Sequence, residues 1–312
     1  MKHRIIFFTS FCFAVLFCLT AFAEPLKVLS VNVRLSTVND GDNAWAIRRD
    51  ALADLIRKVP YDFIGGQEVI IHPNDEVNQL KFLSEKLPEY GVIFRSREKI
   101  EERGEGTPLF YRKDRWEMDE KDNGTYWLSD TPDVPGSITW KGQSTCPRVV
   151  SGGLFYEKDK DGKRTGKSVY VFSTHFDHVG EIARQKAADF ILQRINARKD
   201  KSVPVILIGD FNAGENSPTI RFLKGETVEL DGQVKTPPMA LIDSFRTVHP
   251  DAEDVSTFQS FKEHNPKGAK IDYIFFTPEL KATAAEIIRD KTPAGRFPTD
   301  HYPINAVLEW VK

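Results

Sequence analysis

The sequence predicts an α/β domain in which two β-sheets pack face to face and helices cover their outer surfaces. Apolar runs dense enough for burial on both faces alternate with amphipathic helical stretches along the chain. No long linker rich in proline, glycine or serine separates the two halves of the chain. Two packed sheets accommodate this many buried strands, so we expect one domain built from both halves.

The N-terminus has the layout of an export signal. A positively charged head at residues 2–4 precedes an apolar stretch over residues 5–19, and Ala21 and Ala23 provide the small residues that a signal peptidase reads. The apolar stretch is short for a membrane span, although an uncleaved anchor is the alternative. We therefore expect a signal peptide over residues 1–23 and a secreted or periplasmic protein without a stable membrane span.

Cleavage after Ala23 leaves a domain of 289 residues, from 24 to 312, with 41 basic and 45 acidic side chains and a net charge of −4. This charge excludes a uniformly basic surface for nucleic acid, although a locally basic cleft stays open. Cys146 is the one cysteine outside the signal, so no intramolecular disulfide forms and the core must supply the stability. We expect a monomer.

The first half of this domain begins with a strand, a helix and a second strand. The predicted strands cover residues 26–33, 61–69, 91–95, 108–112, 125–128 and 152–156, and the predicted helices cover residues 44–59 and 76–87. The first helix has apolar residues at helical spacing and ends before Pro60. Prolines and glycines over residues 132–142 divide the middle region into loops.

The second half repeats the same alternation of strands and helices. A tract rich in lysine, aspartate and glycine over residues 158–167 predicts a solvated hairpin turn. A strand over 168–175 and a long amphipathic helix over 180–198 follow it. Further strands are predicted over residues 203–209, 240–242, 270–276 and 304–310.

Strongly apolar strands end, one after another, in acidic, amide or imidazole side chains. The residues at these ends are Asn32, Glu68, His175, Asp177, Asp210, Asn212, Asp272, Asp300 and His301. Burying such groups is costly unless they are paired or bind a metal. Taken singly, each has an ordinary explanation, such as a turn cap, an ion pair or a hydrogen-bonded core histidine. Their joint occurrence favours one shared site.

Oxygen-bearing side chains of this kind suit a hard divalent cation, Mg²⁺ or Mn²⁺. Glu68 offers a carboxylate, and the other candidate oxygens belong to Asn32, Asp210, Asn212 and Asp300. The histidines and the cysteine lack zinc-site spacing. The sequence therefore favours an oxygen-ligated metal.

Hydrolysis at such a metal also needs an oriented water, a base and a group that stabilises charge. A histidine held by a carboxylate suits this purpose, and Asp272 with His301 is the natural pair. The chain has no Gly-x-Ser-x-Gly or Cys-Gly-Ser-Cys motif and no phosphate-binding loop. Metal-assisted cleavage of a phosphate ester therefore fits the residues best.

Seven short segments resemble those of the endonuclease/exonuclease/phosphatase superfamily, in the same order and with comparable spacing. They are residues 30–32 (SVN), 66–68 (GQE), 110–112 (FYR), 173–177 (STHFD), 209–212 (GDFN), 270–273 (KIDY) and 299–303 (TDHYP). The GDFN segment alone would be weak support, whereas all seven together are specific. The resemblance covers essentially the whole of residues 24–312.

This resemblance implies a four-layered α/β sandwich of two mixed sheets with the site at one rim. It also assigns roles: Asn32, Glu68 and Asp300 at the metal, Tyr111 and His175 on the phosphate, Asp210 and Asn212 around the water, His301 oriented by Asp272 as base or charge stabiliser, and Arg148 and Asp177 on the substrate. For Arg148, a surface ion pair is the alternative. These roles are implied by the resemblance and do not follow from spacing.

The chain differs from one branch of the superfamily at Arg34, and a second segment resembles one bacterial branch in particular. Arg34 stands where the DNA-repair branch has an acidic residue, so the metal environment of that branch is not reproduced. Residues 126–137 instead resemble a bacterial branch, similar also to poly(A)-type exonucleases and nucleotide phosphatases, whose substrates are mostly unassigned. The resemblance therefore implies the chemistry more closely than the substrate.

We expect an enzyme that hydrolyses a phosphomonoester or phosphodiester, either a nuclease or a nucleotide or sugar phosphatase. Tyr126, Trp127 and Trp140 near Arg148 would suit nucleic-acid bases, or they could be packing residues. A sphingomyelinase-like phospholipase is an alternative, but it would need an exposed apolar wedge that the sequence does not reveal. A binding module without activity is the non-enzyme alternative, and it would be expected to have lost residues such as Glu68.

Overall fold

The computed structural model describes residues 24–311, so the predicted signal peptide lies outside the described residues. The strands are β1 (Leu26–Asn32), β2 (Phe63–Gln67), β3 (Val69–Ile71), β4 (Tyr90–Ile93), β5 (Gly104–Gly106), β6 (Leu109–Arg112), β7 (Trp116–Trp127), β8 (Val149–Lys158), β9 (Arg164–His175), β10 (Val205–Asp210), β11 (Val228–Leu230), β12 (Gln233–Lys235), β13 (Ile242–Asp243), β14 (Asp272–Phe276), β15 (Leu280–Ile287) and β16 (Ile304–Trp310). The helices are α1 (Trp45–Arg57), α2 (Gln79–Lys86), α3 (Glu181–Asn196), α4 (Pro218–Leu223) and α5 (Ser244–Val248), with a short 3-10 helix at Gly41–Asn43. Within this part of the chain, no helix is both long and apolar enough to cross a bilayer.

Two six-stranded sheets form the body of the molecule. The first has the strand order β15-β16-β1-β2-β6-β4, and the second has the order β13-β14-β10-β9-β8-β7. Each sheet is mixed, because β1 and β2 are parallel in the first and β9 and β10 are parallel in the second, while their other pairs are antiparallel. This arrangement confirms the predicted fold class.

Side chains on the central strands alternate between two apolar layers. Ile206 and Ile208 on β10 enter the layer between the sheets, whereas Val205 and Leu207 enter the layer beneath α3 and α4. Because successive side chains of a strand point to opposite faces, a strand buried on both sides is apolar throughout. The first sheet is covered on its outer face by α1 and α2 in the same way, which gives four layers.

The two sheets approach closely beneath the edge where the polar residues gather. A Cβ atom at Gly65 on β2 would lie 2.6 Å from the side chain of Ile208 on β10. Only glycine fits at that distance, so the GQE segment directly follows a point of contact between the sheets. This contact places the ends of β2 and β10 side by side.

The strands predicted over residues 26–33 and 304–310 are confirmed as β1 and β16. Several short strands of the structure, such as β3, β5, β11 and β12, are absent from the prediction. The predicted helices over 44–59 and 180–198 correspond to α1 and α3. The predicted strand over 125–128 is the end of the much longer β7, whose middle part is polar and exposed. A strand at the edge of a sheet does not need apolar residues, so its pattern is weak in the sequence.

A buried cluster of charges joins the two sheets at the end opposite the polar edge. Arg115 donates hydrogen bonds to Asp62 (2.9 Å), just before β2, and to Glu157 (2.8 Å) on β8. All three residues are at least 94% buried. Removing one partner of such a cluster leaves a buried charge without compensation, which is far more costly than the pair itself is favourable.

We predict that Arg115→Ala lowers the free energy of unfolding by about 3–5 kcal/mol, because the buried carboxylates of Asp62 and Glu157 then lose the counter-charge closest to them. Urea unfolding followed by circular dichroism measures this loss. Arg164→Ala is the matched control, because Arg164 pairs with Glu117 at the exposed surface and its loss should change little. Equal stability of the two variants would contradict the prediction.

Candidate active site

The register of the second sheet aligns three of the predicted residues at one edge. Asp210, the last residue of β10, pairs with His175 at the end of β9 and with Asp272 at the start of β14. Because β9 and β10 are parallel and β14 is antiparallel to β10, these three positions share the same edge of the sheet. All three side chains are almost fully buried.

The first sheet brings the remaining residues to the same edge. Asn32 ends β1, Glu68 directly follows β2, and β1 and β2 are parallel. The antiparallel strand β16 starts beside the end of β1, so the preceding residues Asp300 and His301 lie at this edge as well. In open α/β sheets, ligand sites generally lie at the carboxyl ends of the parallel strands, and this site follows the same geometry.

Asn32 is the point at which these groups meet. Its amide nitrogen Nδ2 lies 3.0 Å from Glu68 Oε1, 3.2 Å from Asp210 Oδ2 and 3.4 Å from His301 Nε2. The amide oxygen accepts a hydrogen bond from the backbone N–H of Arg34 at 3.0 Å. Residues from both sheets, far apart in the sequence, therefore converge on one buried side chain.

Three residues of the site have left-handed backbone conformations. The φ angles are 57° at Arg34, 59° at Glu68 and 48° at Asn212. Non-glycine residues rarely adopt these angles, and they persist only where the surrounding structure imposes them. At Glu68, the imposed turn directs the carboxylate back toward Asn32 and the backbone N–H of Leu35, 3.1 Å from Oε2.

His301 lies between two aspartates. Its Nδ1 is 2.9 Å from Asp272 Oδ2, and its Nε2 is 3.7 Å from Asp210 Oδ2. Burial favours the neutral imidazole, but the two carboxylates outweigh burial and hold the pKa of His301 well above its ordinary value. Burial and the nearby Asp272 raise the pKa of Asp210. Asp210 can therefore accept a proton, and protonated His301 can stabilise negative charge.

His175 is held in a different state. Burial, with a contribution from nearby Arg148, lowers the pKa of its imidazole to about 3, so the ring is neutral at pH 7. The amide nitrogen of Asn212 donates to the carbonyl of Phe176 (3.1 Å) and lies 3.0 Å from His175 Nε2. Both contacts are made by the same NH₂ group of Asn212, which can only donate. His175 Nε2 therefore accepts a hydrogen bond, and the proton of the neutral imidazole is on Nδ1. The Asn212 carbonyl oxygen stays available to the cleft.

These residues line a cleft of about 430 Å³ whose other end is basic. The Arg148 side chain is 95% buried, and its Nε and Nη1 atoms have no hydrogen-bond partner among the described residues. Its Nη2 contacts His178 Nδ1 at 2.7 Å. Leaving buried guanidinium N–H groups unpaired is costly, so this end of the cleft is suited to an anion.

Sequence reasoning missed several residues that line this cleft. Buried Glu105 is 2.6 Å from Arg97, 3.9 Å from Arg148 and 3.7 Å from His175 Nδ1. Phe258 also lines the cleft. Glu105 lies in the Gly-Glu-Gly segment of β5, where Gly106 is buried and Gly104 is partly buried. No strand-end pattern marks either residue.

Tyr111 is not at this edge, which corrects its expected contact with the phosphate. It pairs with Phe63 at the start of β2, whereas the site lies beyond the end of that strand. Its ring packs on Phe155 with a centroid distance of 5.1 Å, and its hydroxyl lies over Gly91. The FYR segment matches in sequence, but β6 runs antiparallel to β2 and carries Tyr111 toward the opposite end.

Asp177 is near the site but does not line the cleft, so the structure does not bring it to the substrate. One of its oxygens accepts from the backbone N–H groups of Val179 and Gly180, and the other accepts from Ser144. These bonds hold the pKa of Asp177 low in spite of partial burial, which alone would raise it. Its four acceptor contacts organise the loop that leads into α3.

The carboxylate end of the cleft fits a divalent cation. Asp300 is 97% buried, and its Oδ1 has no hydrogen-bond partner in the described part of the chain. Its burial, together with nearby Glu68, opposes ionisation and raises the pKa of Asp300, although His301 and Arg34 partly offset this. Asp210, Asp272 and His301 also place ligand atoms within 4.8 Å of one another. Such oxygen-rich groups suit Mg²⁺ or Mn²⁺.

A two-sheet α/β sandwich whose cleft is lined by a carboxylate–histidine cluster and by a buried arginine with unsatisfied N–H groups defines a phosphoesterase-type protein. The chain belongs to the Endonuclease/Exonuclease/phosphatase family, whose sequence model matches residues 29–301. Members of this family are hydrolases that act on phosphate esters, and they generally use a divalent metal.

Three relatives illustrate this membership. An uncharacterized protein of Acanthamoeba polyphaga mimivirus is 31% identical over 201 residues, which cover 61% of this chain and 68% of that protein. An endonuclease/exonuclease/phosphatase structure from Bacteroides vulgatus is 30% identical, with a TM-score of 0.76, and covers 92% of this chain and all of its own. A mannosyl-6-phosphatase from Bacteroides thetaiotaomicron is 29% identical, with a TM-score of 0.74, over 91% of this chain and 100% of that one.

We predict that saturating Mg²⁺ or Mn²⁺ raises the melting temperature of the protein by about 5 °C or more, because a ligand that binds only the folded state stabilises it. Glu68→Gln should abolish most of this shift by removing a carboxylate charge. Glu105→Gln is the matched control, because Glu105 is also buried in the cleft but pairs with Arg97. Thermal unfolding with metal and with chelator measures both, and an unchanged shift in Glu68→Gln would contradict the assignment.

Proposed function

We propose that this protein is a divalent-metal-dependent phosphomonoesterase that hydrolyses a small phosphorylated molecule of the sugar-phosphate class. The observation that carries the proposal is that one cleft holds both kinds of group. Buried carboxylates and His301 line part of it, and Arg148, whose Nε and Nη1 atoms have no hydrogen-bond partner among the described residues, lines another part. A phosphate ester placed between them would meet a basic group and a metal-binding group at the same time.

The chain's own residues divide the chemistry between them. Arg148 would bind the phosphate oxygens, and the free amide oxygen of Asn212 would orient the attacking water. Asp210 would take up the proton of the attacking water. Protonated His301, fixed by Asp272 through the 2.9 Å bond at Nδ1, would stabilise charge and give a proton to the alcohol oxygen as the ester P–O bond breaks. Glu68, Asp300 and Asn32 would hold the metal. Bound Mg²⁺ or Mn²⁺ would polarise the phosphate and offset its developing charge.

Two features favour a small monoester over nucleic acid. The cleft of about 430 Å³ is of the size that takes a single small molecule. Trp127 and Trp140 are buried, and their indole N–H groups are bonded to the Arg97 carbonyl and to Asp130, so they are not available for stacking on bases. The mannosyl-6-phosphatase, at 29% identity, supports a sugar phosphate in particular.

We predict that the protein with Mg²⁺ or Mn²⁺ hydrolyses sugar monophosphates and mononitrophenyl phosphate, and that chelator abolishes the activity. The panel should also contain bis-nitrophenyl phosphate, single- and double-stranded DNA, RNA, nucleotides and sphingomyelin. Faster cleavage of the diester, the nucleic acids or sphingomyelin than of any monoester would overturn the monoesterase proposal. Activity that survives chelation would overturn the metal dependence.

We predict that Asp210→Ala and His301→Ala each lower kcat by roughly a hundredfold or more with the fold intact, since both remove groups that act on the proton and on developing charge. His249→Gln is the control, because the His249 ring lies outside the cleft, where it contacts the carbonyl of Ala285 and the ring of Phe245. Circular dichroism verifies folding. Full turnover by both variants would remove these residues from the mechanism.

We predict that Arg148→Ala raises KM and lowers kcat/KM by roughly a hundredfold, because a charged donor to the phosphate is lost. Arg148→Lys should recover part of the loss, since it restores the charge without the planar fork. Arg221→Ala is the control, because Arg221 pairs with Glu226 at the surface. Steady-state kinetics on the best monoester measures these effects, and an unchanged KM in Arg148→Ala would exclude a phosphate contact.

A further inference from the structure

Phe258 exposes an aromatic ring at the mouth of the cleft. It is 43% exposed and is the one aromatic side chain among the exposed large hydrophobic residues of the described chain. Its ring lies 4.8 Å from the imidazole of His301, with 54° between the two planes, and it lines the same cleft as Arg148. An apolar ring that faces water beside reactive groups is available to a ligand.

The backbone on both sides of Phe258 is fastened to the site. The Thr257 hydroxyl accepts from the N–H groups of Ile271 (2.9 Å) and Asp272 (3.2 Å). On the other side, the N–H groups of Gln259 and of the next residue both donate to the carbonyl of Asp300, each at 3.0 Å. Phe258 therefore has an exposed side chain on a backbone that the catalytic segments hold in place.

The loop directly after Phe258 has a strained backbone. Ser260 and Phe261 are consecutive non-glycine residues in the left-handed region, with φ angles of 54° and 57°. The ring of Phe261 lies near Arg48, whose guanidinium is 5.7 Å from the ring centroid. Strain of this kind persists where surrounding contacts impose it, and it is often found at functional sites.

We infer that Phe258 is a specificity-determining residue that stacks on a ring in the alcohol part of the substrate, so that the preferred substrates are phosphate esters of cyclic alcohols. The inference rests on the proposed phosphomonoesterase function and names the part of the substrate that Arg148 does not bind. A ring already fixed in place loses little conformational freedom when a ligand packs on it, so stacking contributes to affinity.

The competing explanation is that Phe258 only shields the His301–Asp272 pair from water. Two substitutions separate these explanations. Phe258→Leu keeps an apolar cover over the imidazole but removes the flat ring, whereas Phe258→Tyr keeps the ring. A shield would affect all substrates equally, because His301 acts on every ester, while stacking affects only esters that carry a ring.

The test compares mannose 6-phosphate and phenyl phosphate, which have rings, with glycerol 3-phosphate, which has none. For each substrate, kcat/KM of each variant is divided by that of the unmodified protein, so differences in intrinsic reactivity cancel. We expect Phe258→Leu to lower this ratio about tenfold for the two ring esters, mainly through KM, and to leave glycerol 3-phosphate unchanged. Phe258→Tyr should retain the ring preference.

An equal change for all three esters, or no change for any, would overturn the stacking inference while leaving the phosphomonoesterase proposal intact. If the unmodified protein cleaves none of the three, the proposed function fails separately, and calorimetry then tests Phe258 directly with the same esters. Weaker binding of the ring esters to Phe258→Leu, with unchanged binding of glycerol 3-phosphate, would still support stacking. Identical binding by both proteins would overturn it.

Discussion

The hydrogen bonds of one buried amide connect the two halves of the molecule at the site. Asn32 belongs to the first sheet, and its amide nitrogen contacts Asp210 of the second sheet at 3.2 Å and Glu68 of its own sheet at 3.0 Å. Burying several acidic groups at one edge is unfavourable unless donors or cations satisfy them. The amide supplies donors without adding charge, so the carboxylates keep their capacity for a metal. The geometry of the cleft depends on this junction.

A second buried hydrogen-bond donor, Arg48 on helix α1, stabilises the backbone around this junction. Arg48 on α1 is 4% exposed and donates to the carbonyls of Val33, Arg34 and Pro298. These carbonyls belong to the loop after β1 and to the segment before Asp300, which both turn sharply to enter the cleft. Backbone groups in such turns cannot pair within a sheet, and a buried guanidinium with several donors satisfies them. The strained conformation at Arg34 is tolerated because its neighbours are bonded in this way.

The fold and most of the site could be predicted because both depend on short-range patterns. Doubly buried strands are apolar throughout, and a change to polar residues marks where each reaches the edge, which is how the sequence indicates Asp210 and His175. The errors have a physical reason as well. Tyr111 lies in a matching segment, but strand direction, which the segment does not encode, carries it to the other end of the sheet. Phe258 and Glu105 lie in loops and short strands whose positions depend on tertiary contacts, so no local pattern marks them.

The cleft contains an acidic and a basic side chain that are both buried and that both have atoms without a hydrogen-bond partner among the described residues. Asp300 has a buried carboxylate oxygen without a partner, and Arg148 has buried guanidinium nitrogens without one among the described residues. These two residues do not satisfy each other, because Arg34 lies against Asp300 at 3.6 Å and Arg148 faces Glu105 and His178. A cation would compensate one end and an anion the other, and a metal with a phosphate ester supplies both. The unfavourable burial of these groups in the free protein is therefore reduced when the substrate and the metal bind together.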